Sequence, residues 1–94
     1  MGVELAEKEQ IRFLNHPLTV KQMAAQINAA SDAYISMKIT ENALRELLHH
    51  YAKNHGKKLF GPYGTLNPTV RKIIGKKRSE LVKNLLSGYQ FTFF

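Results

Sequence analysis

The chain has 94 residues, 44% of them hydrophobic, which is enough for one compact domain with one core and too little for two. There is no cysteine, so disulfides, thiolate metal sites and a cysteine nucleophile are excluded, and a reducing compartment is the simpler expectation. The formal net charge is +7, and all of the surplus lies in one half: residues 1–50 hold five bases against six acids, residues 51–94 nine bases against Glu80 alone.

In chain order, Met1 to Glu7 is acidic and lacks the apolar run of a signal peptide, and nothing later approaches transmembrane length, so a cytoplasmic protein without a membrane partner is expected. Leu5, Ile11 and Leu14, with Phe13 beside them, fit one face of a first helix over 3–14, which Asn15-His16-Pro17 ends. Thr19 reads as the N-cap of a second helix whose inward face is Val20, Met23, Ala24 and Ile27, stopping near Ala30-Ser31. Ile35, Met37 and Ile39 alternate with Ser36 and Lys38, the pattern of a short half-buried strand, with a helical turn as the alternative.

Thr40 caps the clearest helix, with Glu41 in its first turn and the apolar stripe Ala43, Leu44, Leu47, Leu48, Tyr51 and Ala52; Gly56 suits the C′ position after it. Residues 59–66 form a turn-rich connector, more apolar than an ordinary loop. Asn67-Pro68 opens another helix with Val70, Ile73 and Ile74 inward, and Leu81, Val82, Leu85 and Leu86 continue the theme beyond a break at Gly75 that Ser79 could recap. Tyr89 to Phe94 alternates aromatic and polar residues, a strand candidate to pair with 35–39. The fold class is therefore mainly α, one domain over 1–94 with four or five short helices and room for a minor two-stranded pairing near the C-terminus. Its expected core is Leu14, Met23, Ile27, Leu44, Leu47, Leu48, Tyr51, Ile73, Ile74, Leu81 and Leu85.

For chemistry, the serines have no nucleophile elbow around them, the carboxylates are isolated and no Gly-rich phosphate cradle is present, so a non-enzymatic protein with no cofactor is expected. Arg71, Lys72, Lys76, Lys77, Arg78 and Lys83 form the candidate binding set, cations that neutralise phosphates of DNA or RNA or meet an acidic protein surface. Phe60, Pro62, Tyr63, Pro68, Phe91, Phe93 and Phe94 are candidate anchors for a protein partner. His49, His50 and His55 cluster near one helix end, and Glu46 with His50 makes an i, i+4 pair. A third ligand is lacking there, so no metal is expected; a polar helix end favoured by the macrodipole is the plainer reading.

Residues 18–27 resemble the first helix of helix-turn-helix domains, with residues 40–54 as reading helix and 57–63 opening a wing. This would make the chain a transcriptional regulator, although the gap from Ala30 to Thr40 exceeds the usual turn. By size, basicity and the connector from Gly61-Pro62 to Pro68, the whole chain resembles the small basic accessory proteins of temperate phages of enteric bacteria, including those that bind and modify the host RecBCD nuclease. That resemblance implies docking on a host DNA-processing enzyme, with Pro62 and Pro68 as a contact for a host prolyl isomerase.

Overall fold

The computed structural model describes residues 13–87. The expected helix over 3–14 lies outside them up to residue 12, while Phe13 and Leu14 are non-helical; the aromatic strand candidate after residue 88 lies outside them as well. The described residues form five α-helices: α1 (Val20–Ile35), α2 (Glu41–Asn54), α3 (Gly56–Leu59), α4 (Pro68–Ile74) and α5 (Lys76–Leu86), with a 3-10 turn at Pro62–Gly64. The protein is thus mainly α.

Three of the helix starts are the ones the capping residues dictate. The Thr19 hydroxyl accepts from the Gln22 amide, Thr40 from Ala43, and the Asn67 side chain from Thr69, each satisfying a first-turn N–H that has no intrahelical partner. Pro68 at N1 loses nothing, because its missing N–H would have been unpaired there.

α1 is the central element, touching all four other helices and packing most extensively on α4. Its buried stripe is Met23, Ala24, Ile27, Ala30 and Ser31; the two alanines leave room for a close neighbour. The stripe corrects the expected stop near Ala30-Ser31, since Ser31 lies fully buried inside a helix that continues to Ile35.

Nor is there a strand over 35–39. α1 ends in a Schellman motif: the Lys38 amide bonds the Ala33 carbonyl and the Met37 amide bonds Tyr34, with Met37 at the left-handed C′ position, φ 64°. The alternating Ile35 and Met37 side chains point to water, Met37 being 90% exposed, so the period-2 pattern marked a turn. The extra helical length also shortens the link between α1 and α2 to residues 36–40.

Gly56 stands at the C′ position, as expected, with His55 as the C-cap of α2, and also opens the single turn α3. The supposed wing at 57–63 is this turn followed by the 3-10 turn; one antiparallel bridge, Phe60 to Leu66, closes the loop between them. Leu59 and Leu66, at the two feet of that loop, are buried and join the core with Val70 and Val82, the last two facing inward as the helix pattern implies. Leu14 and Ile73, expected inside, are 48% and 40% exposed.

α4 and α5 meet at Gly75, which has φ 89° and ψ 172°, a region essentially restricted to glycine. Its N–H caps α4 by donating to the Arg71 carbonyl, and its carbonyl accepts from Ser79 as the first turn of α5. The break is therefore made by Gly75 itself; Ser79 is not its cap but a buried residue within α5.

Candidate anion-binding groove

The sharp turn at Gly75 sets two helix faces side by side. On α4, Pro68, Arg71 and Lys72 stand at i, i+3, i+4; on α5, Lys76, Ser79, Glu80 and Lys83 stand at i, i+3, i+4, i+7. These seven residues line one open groove of about 380 Å³. Arg71, Lys72, Lys76 and Lys83 are exposed, so their heads keep their hydration until a ligand displaces it, and Glu80 is the single acid among them.

Ser79 lies under the groove. The residue is only 7% exposed, and its hydroxyl finds no hydrogen-bond partner among the described residues. The hydroxyl oxygen is itself buried, so it stays an unpaired polar atom beneath the cations and costs stability.

The six expected cations do not act as one set. Arg71, Lys72, Lys76 and Lys83 share the groove; Lys77 is exposed beside it without lining it. Arg78 is turned the other way: its Nη2 and Nε lie 2.6 and 2.9 Å from one Asp32 oxygen, and its Nη1 donates to the Ile74 carbonyl. It ties α5 to α1 and is neutralised there.

Of the expected protein-binding anchors, Phe60 lines a second, more apolar hollow of about 280 Å³ with Leu66, Leu86 and the groove cations Arg71 and Lys83. Pro62 is exposed at the start of the 3-10 turn, which also contains Tyr63, and Pro68 is exposed at the mouth of the groove. Phe91, Phe93 and Phe94 lie outside the described residues.

The imidazoles form a separate constellation. His50 and His55, five apart around the C-terminal end of α2, are joined by His16 from the segment that precedes α1. The His16 Nδ1 and His55 Nε2 atoms are 2.9 Å apart, and the His50 Nε2 lies 2.8 Å from the Asn15 carbonyl. The fold holds the entering segment in place: Tyr51 donates its hydroxyl to the Leu14 carbonyl, Gln26 accepts from the Leu14 amide and Gln22 from the Leu18 amide, while Pro17 is buried. Burial, followed by the charges of Lys58, His16 and His50, lowers the His55 pKa below the usual imidazole value, against the opposing pull of the Asn15 carbonyl. Glu46 and His49, named from spacing on the helix, are not part of this cluster; His16, 34 residues before His50, is the partner that spacing along one helix could not reveal.

No curated protein and no solved structure matches the chain. A family model described as a conserved hypothetical protein matches residues 15–87, a span that contains all five helices, the groove and the three imidazoles. The chain belongs to this family, CLB_0814_fam.

Proposed function

We propose that the protein is a non-enzymatic binding protein of nucleic-acid metabolism that grips backbone phosphates in the groove between α4 and α5. The observation that carries this reading is the convergence of Arg71, Lys72, Lys76 and Lys83 on one groove. Four cations at helical spacing match a repeating polyanion, which gains by releasing condensed counterions, better than they match a single small anion. Contacts of this kind position a protein on its ligand without reading bases.

The test is anisotropy titration of labelled duplex DNA and single-stranded RNA between 50 and 200 mM salt. Four phosphate contacts imply a log–log salt slope of about −3.6 on duplex DNA and a loss of roughly a hundredfold in affinity across that range. Replacing Lys72 and Lys76 by Gln should reduce the slope by about 1.8 on the same scale. Arg78→Gln, which removes a cation already paired with Asp32, should leave the slope unchanged. A variant lacking all four groove cations that retains both its helical spectrum and its affinity would overturn the proposal.

A second reading, a modulator that docks on an acidic protein such as a host DNA-processing enzyme, is favoured by one observation. The apolar hollow at Phe60 and Leu86 shares Arg71 and Lys83 with the groove, so an apolar side chain flanked by carboxylates would fit both. Binding in that case survives nuclease treatment and depends on Phe60 as well as on the cations.

A further inference from the structure

We propose that His16, His50 and His55 form a binding site for one borderline divalent transition-metal cation of the zinc class. This goes beyond the polyanion groove and stands on different residues.

The geometry comes first. Each ring offers one nitrogen, and the three nitrogens all lie within 4.8 Å of one another. Zinc held by imidazoles at about 2.0–2.1 Å in a tetrahedron requires its ligand atoms to be about 3.4 Å apart. The His16 and His55 nitrogens, at 2.9 Å, are already closer than that, so they need to part by only a few tenths of an ångström. Three imidazoles plus one water is the ligand number of an open zinc site, and all-nitrogen ligation suits zinc, copper and nickel rather than calcium or magnesium.

The present hydrogen bonding points the same way. Two ring nitrogens facing each other at 2.9 Å share a single proton between two lone pairs, and a cation in that position would take both. Both His50 ring nitrogens are engaged, Nε2 with the Asn15 carbonyl at 2.8 Å and Nδ1 with the Asn54 amide at 3.1 Å, so ligation by His50 replaces one of these bonds while the other holds the ring plane. The Asn15 carbonyl oxygen stands beside the cluster as an acceptor for a metal-bound water. Lys58 brings an opposing positive charge close to His55, which limits the affinity and favours ions that form strong bonds to nitrogen.

The consequence of binding is structural. His16 belongs to the segment before α1 and the other two to the end of α2, so one ion would clamp the start of the described chain onto the helix it already touches through Tyr51 and Leu14.

The experiment uses the full chain without an affinity tag. Zinc is titrated by calorimetry, and cobalt(II) is used as an optical probe, because tetrahedral and octahedral cobalt absorb differently. The expected result is one ion per chain, tetrahedral cobalt absorption, and a melting temperature that rises with zinc. His16→Ala, His50→Ala and His55→Ala should each weaken zinc binding by at least about tenfold, since even outer partners of such ligands cost 10–100-fold. His49→Ala, outside the cluster, should bind as the parent does. The corresponding Gln variants retain polarity at each position and separate loss of ligation from loss of fold. No stoichiometric binding, or equal binding by the folded His16, His50 and His55 variants, would overturn the proposal.

Discussion

Replacing Gly75 by Ala probes the one backbone position on which both the α4–α5 turn and the groove depend. A Cβ built there meets nothing within 4 Å, so no collision contributes and the cost is purely conformational. At φ 89° and ψ 172° that strain is about 1–3 kcal/mol for an L-residue with a side chain. The lower entropy of an unfolded chain carrying Ala offsets about 0.4–1 kcal/mol of it. The expected net loss is about 1–2 kcal/mol, or roughly 5–15 °C in melting temperature for a domain of this size. Asn, which relieves left-handed helical positions, should give no rescue, because a ψ of 172° lies outside that region. The assay is urea denaturation followed by circular dichroism for the parent, Gly75→Ala and Gly75→Asn, together with the salt slope of polyanion binding. If the chain yields by continuing α4 into α5, helicity rises while the groove cations lose their register and the slope falls. Stability of Gly75→Ala within about 0.3 kcal/mol of the parent would refute the reasoning.

Met37→Gly should stabilise the protein by about 0.5–1 kcal/mol in the same assay. The left-handed C′ position penalises Met by about 1–2 kcal/mol against the greater unfolded entropy of Gly, and the exposed side chain packs on little. Tyr51→Phe should cost about 0.5–1.5 kcal/mol at neutral pH through loss of the hydrogen bond to the Leu14 carbonyl. It should also remove part of the alkaline instability. Burial pushes the Tyr51 pKa up from 10.0 to about 12, so the folded state favours the neutral phenol. The stability from this group is complete below pH 10 and is lost as pH rises through 12, a decline the Phe variant lacks in parallel melting curves.

Where a local residue type dictates a backbone event, the sequence was a sufficient guide. Thr40, Asn67-Pro68 and Gly75 marked helix boundaries because capping and the glycine-only region depend on neighbours one to four residues away. The end of α1 was illegible for the converse reason: a Schellman motif with Met at C′ carries no glycine signal, and Ser31 resembles a cap while serving as a small core residue. The apolar connector signalled that part of it packs down, but Leu59 and Leu66 could not be singled out, because a loop that folds back has no period to detect. In the candidate groove, the cations on α4 and α5 were readable from charge, but the diversion of Arg78 required Asp32, 46 residues upstream. His16 joined His50 and His55 only through tertiary packing.

Asn67 has a role beyond opening α4. Its backbone amide donates to the Leu59 carbonyl and its side-chain amide to the Lys58 carbonyl, so the loop between the buried feet Leu59 and Leu66 is stitched shut at its neck. A loop closed in this way is thermodynamically insulated: a change of length at its Pro62–Gly64 tip adds little closure cost. Positions 62 and 63 are thus where the protein can vary its surface while the groove beneath stays fixed, Gly64 being held to glycine by its φ of 76°.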